Sequence, residues 1–362
     1  MAGQKDAGMT HYTPTSPKVS VLMVSHDAEK TVRRAVESLQ NQTFGNFELI
    51  VVDAGSTDET ARLLSALADR DMRVSVAQAG ECGRQDALNL ALDRARGDYL
   101  LVFDADGWAD PTMLEELADR AESGSLELVI GGFSLSLSIG GGRSARAEVS
   151  SEARAFPTQH DFRSYAWKLL AEGQLLPASG KLFSRALVER CGARFSQGSG
   201  SDHSFVTRCL AEVERVAVVA GARYHVSRGI PHGPKDVVDG YRRLEEEHAA
   251  LLALYESWGL DGDAASVEAI QDRYIEQLMD CVERICGRGS RMGSADQRRL
   301  VAQMIDTDRA QVAASVARPR GSAARAMLAP IRARNIPLVC AQTRLISLIR
   351  PGIADVTPDL FV

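Results

Sequence analysis

Tyr99-Leu-Leu-Val-Phe-Asp-Ala-Asp-Gly107 decides how the chain is read. The run Tyr99–Phe103 has the character of a buried strand. Two carboxylates, Asp104 and Asp106, leave its carboxyl end, where open α/β sheets bind ligands. Acids so close repel one another unless a cation lies between them and a substrate. A hard divalent ion, taking oxygen ligands and gripping a diphosphate, suits such a pair. A solvated Asp-rich turn closed by Gly107 is the plain alternative, and the surrounding sequence has to choose.

Upstream, strands and helices alternate. Val19–Ser25 and Phe47–Val52 read as buried strands, the second ending at Asp53, and Arg73–Gln78 as a shorter third. Helical spacing marks Glu29–Gln40, Glu59–Ala68 and Asp86–Ala95. This order predicts an α/β fold with a mainly parallel, twisted, Rossmann-like sheet and right-handed crossovers. Downstream, a helix over Pro111–Ala121 precedes a hairpin of Glu127–Ile139 with Ala145–Val149. Helices are expected at Phe162–Ala171, Ser184–Cys191 and Asp202–Ala211, and strands at Val216–Val219 and Arg223–Val226. From about Lys235 long helical patterns take over: Val237–Trp258, Ala264–Cys286 and Ala295–Val316.

Composition narrows the class. The 362 residues are 45% hydrophobic and 25% charged, the profile of a globular protein too long for one ordinary core. A net charge of −6 argues against whole-surface nucleic-acid binding. Six scattered cysteines form no CxxC pair, which disfavours structural zinc and a disulfide framework. No stretch is apolar for the length of a membrane span, and the polar residues 1–17 read as a disordered leader. Between Arg309 and Arg350 there are eight Arg and no Lys, Asp or Glu, interleaved with apolar clusters. That composition fits a segment lying on an anionic membrane or a basic helix packed on the acidic body; both readings stand here.

Four blocks, Val19–Lys30, Leu39–Phe44, Phe47–Asp58 and Gly97–Asp106, come in the order and spacing of the family 2 glycosyltransferases, and Gly83-Arg-Gln-Asp-Ala-Leu-Asn89 resembles a block of one bacterial subgroup that builds surface polysaccharides. The resemblance runs from about residue 18 to 230. It implies a glycosyltransferase-A catalytic domain over 18–232; beyond it, the helical patterns give a helical extension over 233–317 and the Arg-rich composition a basic, membrane-associating or body-packed tail over 318–362. It implies inverting transfer of a sugar from a nucleotide donor, UDP-linked favoured over GDP or dTDP, to a hydroxyl of a glycan or lipid-linked acceptor. The location implied is cytoplasmic, with peripheral contact on the inner face of the membrane through 318–350.

Residue roles follow from the resemblance and from local chemistry together. Ser25, His26, Asp27 and Asp53 would form the crevice for the base, a carboxylate accepting its N–H. Asp86 and Asn89, one helical turn apart, would reach the ribose or sugar. The family's acid pair implies Mn²⁺ or Mg²⁺ on Asp104 and Asp106, Asp104 also reaching the ribose, with His225 completing the metal site. Lys181 would face donor or acceptor and Arg228 would grip phosphate. Asp202, opening a helix in Gly200-Ser-Asp-His-Ser-Phe205, matches the family's base, which the helix dipole would keep ionised. Three departures stand out. Ala54 replaces a second Asp, His26-Asp27 replaces Tyr-Asn, and Ser201 replaces Glu. A haloacid-dehalogenase phosphatase is disfavoured by Trp108, where that family has Thr. A sugar nucleotidyltransferase is disfavoured by the lack of a Gly-rich basic loop after Val24. A non-catalytic sugar- or membrane-binding scaffold remains the non-enzyme alternative.

Overall fold

A computed structural model describes residues 16–140, 143–196, 202–229, 234–287 and 290–349. Nearly all of the expected leader, Ser201 and the end of the tail, 350–362, lie outside the described residues, as does the side chain of Arg228. The first half alternates as its hydrophobic runs dictate: β1 (Val19–Ser25), α1 (Val32–Gln40), β2 (Phe47–Asp53), α2 (Thr60–Ala68), β3 (Val74–Gln78), α3 (Arg84–Arg94) and β4 (Tyr99–Asp104). β3, β2, β1 and β4 pair in parallel, in that order. Their carboxyl ends therefore lie along one edge, with Ser25 in register with Asp53 and Val24 with Asp104.

Beyond β4 the sheet becomes mixed. The following elements are β5 (Gly107–Ala109), α4 (Met113–Ser123), β6 (Leu128–Gly140), β7 (Arg143–Val149), β8 (Arg154–Phe156), α5 (Gln159–Ala171), β9 (Lys181–Ser184), α6 (Arg185–Cys191), α7 (His203–Glu212) and β10 (Val216–Gly229). The order is β3-β2-β1-β4-β9-β6-β10-β5, with β7 paired to β6 and β8 to β10. β9 runs antiparallel to both β4 and β6. β10 joins the two late strands expected from the sequence into one element with register shifts between Val218 and Tyr224, where Gly221 takes a positive φ of 84°.

The sheet buries apolar residues on both faces. Met23, Val51 and Phe103 face α1, α2 and α4. Leu22, Ile50 and Val102 face α3, α5, α6 and α7. Helices α8 (Pro234–Ser257) and α9 (Ala264–Cys286) straddle two cores: Leu251, Tyr255 and Ile270 join the core on one face of the sheet, whereas Leu244, Tyr274 and Ile285 join a third core. The long helix expected over Ala295–Val316 is two, α10 (Ser294–Ile305) and α11 (Asp308–Val316). The tail folds as α12 (Ser322–Arg332) and α13 (Ile336–Ile349), which sink Met327, Ile331 and Val339 into the third core. Among the described residues no helix is long and apolar enough to cross a membrane.

Candidate active site

The carboxyl edge of the parallel strands is stitched by its own loops. Asp27, at a positive φ of 45°, accepts from the Thr57 N–H at 2.7 Å and so ties the β1–α1 loop to the β2–α2 loop. That backbone bond is the leading cause holding its carboxyl below the usual range. The Ser56 N–H and hydroxyl donate to Asp53 Oδ1 at 3.3 and 2.5 Å. Gly55 needs its freedom: its φ is +81°, and a Cβ there would lie 2.8 Å from the Glu81 backbone nitrogen. Ser25 is buried beside Asp53 with its hydroxyl unpartnered. His26 Nδ1 meets the Ala54 carbonyl at 3.0 Å.

At the end of β4, Asp104 is held on both oxygens. Oδ2 accepts from Tyr224 Oη at 2.6 Å and from Ser179 Oγ at 2.8 Å, and Oδ1 accepts from Arg84 Nη2 at 2.9 Å. Tyr224 is buried, and it reaches Asp104 only because residue 107 is glycine: a Cβ there would stand 2.7 Å from Tyr224 Oη. The other arm of Arg84 donates to Asp202 Oδ1 at 2.5 Å. One guanidinium thus brings the strand-end acid and the acid before α7, 98 positions apart, to one place. Burial opposes the Arg84 charge, but the two carboxylates more than offset it and keep the pKa above its ordinary value.

The remaining expected site residues fall in several environments. Asp86 is half-buried in the first turn of α3. Asn89, expected to reach the ribose or sugar, clasps the chain: its amide donates to the Phe195 carbonyl at 2.8 Å and accepts from the Phe195 N–H at 3.0 Å. These two bonds tie α3 to the segment leading to Asp202. Lys181, expected to face donor or acceptor, lies in β9 between β4 and β6 and is 1% exposed, its ammonium donating to the Pro177 carbonyl. Burial pushes its pKa down to about 7. His225, expected to complete the metal site, lies in β10. Antiparallel pairing with β5 sets it opposite Trp108, so the ring stacks on the indole at 5.1 Å and Nε2 meets Asp110 Oδ1 at 3.0 Å. Among the described residues no three His, Cys, Asp or Glu side chains converge on a cation position. Asp106 is half-buried, and Arg34 donates to its carbonyl at 3.2 Å.

Arg84, Ser179 and Tyr224 were not marked by sequence reasoning. For Arg84 a signal existed: a cation in the first turn of a helix runs against the dipole preference, so it needs carboxylate partners from elsewhere. Nothing local marks the other two.

The fold is that of the glycosyltransferase-A class: TarS 1-349 from S. aureus, solved in complex with UDP-GlcNAc, aligns with a TM-score of 0.55 over 92% of each chain at 18% identity. Mannosyltransferase PcManGT from Pyrobaculum calidifontis, in complex with GDP-Man and Mn²⁺, aligns with a TM-score of 0.50 at 16% identity, over 94% of this chain and 88% of that one. At the level of sequence, residues 20–167 match the model of Glycosyl transferase family 2. The chain is 25% identical over 261 residues to the uncharacterized glycosyltransferase EpsJ of Bacillus subtilis (strain 168), covering 68% of this chain and 72% of that protein. Residues 20–167 carry a family 2 glycosyltransferase domain, and the chain is a glycosyltransferase.

Proposed function

We propose that the protein moves a sugar, with inversion, from a nucleotide donor to a hydroxyl of a glycan or lipid-linked acceptor during cell-surface polysaccharide synthesis, Asp202 serving as the base. The observation that carries this reading is the Arg84 bridge, which sets Asp202 beside Asp104 at the strand-end edge. A single carboxylate within reach of the donor suffices for an in-line displacement. It accepts the acceptor's hydroxyl proton as the C–O bond to the diphosphate breaks. Asp53 and the unpartnered Ser25 hydroxyl offer an acceptor and a donor for the base and ribose. A UDP-linked sugar is favoured, in keeping with the ligand of the TarS complex.

Asp104 and Asp106 fit a Mn²⁺ or Mg²⁺ ion in the sense that such ions take one or two carboxylates and complete their shell with water and substrate phosphate. When bound there, the ion supplies neutralising charge for the departing nucleoside diphosphate. Arg84, poised between Asp104 and Asp202, is a fixed cation at the same edge. His225 is left to Asp110. The outward face of the tail is proposed to rest on the cytoplasmic leaflet: Leu345 and Leu348 are 57% and 61% exposed, among exposed arginines.

The test is a thermal-shift panel of UDP-, GDP- and dTDP-sugars with and without Mn²⁺, followed by turnover of the stabilising donors. Stabilisation is expected to need nucleotide and metal together. Asp202→Asn is expected to keep that stabilisation and lose about 10²–10⁴ in rate. Wild-type turnover by Asp202→Asn would overturn the assignment of the base.

A further inference from the structure

Asp202 is the N-cap residue of α7, yet it makes no side-chain cap bond to its own helix, because its carboxylate is given to Arg84. The first turn of α7 must therefore be anchored by something else. His203, the next residue, is 5% exposed and points the opposite way, into the helices of the C-terminal half. Its Nε2 lies 3.0 Å from Glu247 Oε2 of α8, a close polar contact off the line of a straight hydrogen bond. Glu247 is itself 4% exposed. Arg273 and Gln277, both of α9, donate to its Oε1, Gln277 at 3.1 Å.

The electrostatics of this cluster are directional. Burial works against the Glu247 charge, but Arg273 foremost, with His203 and Gln277, more than offsets it and holds the carboxyl below its usual range. Burial pushes the imidazole pKa down, the nearby Glu247 opposing only in part. A neutral ring is thereby gripped by a fixed Glu–Arg pair. Such a buried pair contributes little to stability compared with apolar residues of the same volume. What it does supply is a defined position, and that position is one residue from Asp202.

We propose that Glu247 is a positioning residue for sugar transfer: by holding His203 it fixes the first turn of α7, so that the Asp202 carboxylate stays beside Asp104. The C-terminal helices are then part of the catalytic apparatus. This rests on the reading of Asp202 as the base, so the two are tested side by side in the full chain. The assay follows release of nucleoside diphosphate from the panel donor that wild type hydrolyses fastest, with water as the acceptor. Glu247→Ala is expected to lower kcat about 10- to 100-fold, leave the donor KM within about twofold, and keep the thermal shift given by UDP and Mn²⁺. Glu247→Gln retains the length and an acceptor oxygen, and is expected to recover all but a two- to tenfold loss. In an Asp202→Asn background Glu247→Ala is expected to cost nothing further.

Should Glu247→Ala fail to fold, Glu247→Gln and His203→Gln carry the test. Wild-type kcat per folded molecule in those variants would overturn the proposal, and so would a loss that adds fully to that of Asp202→Asn. The two readings fail separately. An active Asp202→Asn removes the base whatever Glu247 does. An inactive Asp202→Asn beside a fully active Glu247→Ala removes only the positioning role.

Discussion

Among the described residues the buried acids and arginines have charged or hydrogen-bonding side-chain partners, whereas Lys181 does not. Arg84 joins two acids and Arg73 clasps Asp71, but the Lys181 ammonium has only a carbonyl for company. Its pKa in the folded protein, about 7, lies below the unfolded value near 10.4. Between those limits the unfolded chain binds more protons, so this residue makes stability rise with pH; below about 7 the penalty of charging a buried amine is complete. Lys181→Met removes the charge and keeps an unbranched chain of similar size. Melting curves are expected to show the variant more stable than wild type near pH 7, despite the lost bond to Pro177, with the gain shrinking toward pH 10. A gap that widens with pH would show that the amine is stabilised as a cation.

At the scale of elements, short pieces decide the shape of the site. β5, β8 and β9 are three or four residues long, too short for a period to show, and they form because longer neighbours offer them edges. β9 lies between β4 and β6, and its preceding Ser179 thereby reaches Asp104. The division of the expected helix over 295–316 has a local cause. Thr307 Oγ1 accepts from the Ala310 N–H at 3.1 Å and starts α11 afresh. Because apolar spacing continues across the break, periodicity alone runs through it. Thr307→Ala is expected to cost about 1 kcal/mol, read as a small fall in melting temperature with turnover unchanged. A change in turnover would tie α11 to the site.

For the whole molecule, the tail is where the two sequence readings meet. One face of α12 and α13 is core: Met327, Ile331 and Val339 are essentially inaccessible. Deleting residues 318–362 would therefore open that core, and loss of membrane binding on deletion would prove nothing. The outward face can be tested alone. A Leu345→Glu, Leu348→Glu pair is expected to weaken binding to vesicles rich in anionic lipid by more than tenfold while leaving the melting temperature in place. Unchanged binding would leave the packed-helix reading standing.

The sequence by itself determined the parallel half of the sheet, the strand-end acids Asp104 and Asp106, and Asp202 at the start of a helix. Each is written in a local pattern: an apolar run, a polar end, a helix entry. It also carried the family, through the order of its blocks. Only the tertiary structure decided which polar groups meet. Arg84 with Asp104 and Asp202, Asn89 with Phe195, His225 with Asp110 and His203 with Glu247 are pairings between segments far apart in the chain. No periodicity encodes such pairings, because a side chain's partner is fixed by where the backbone has brought other atoms, and a buried polar group takes whichever complement lies within reach.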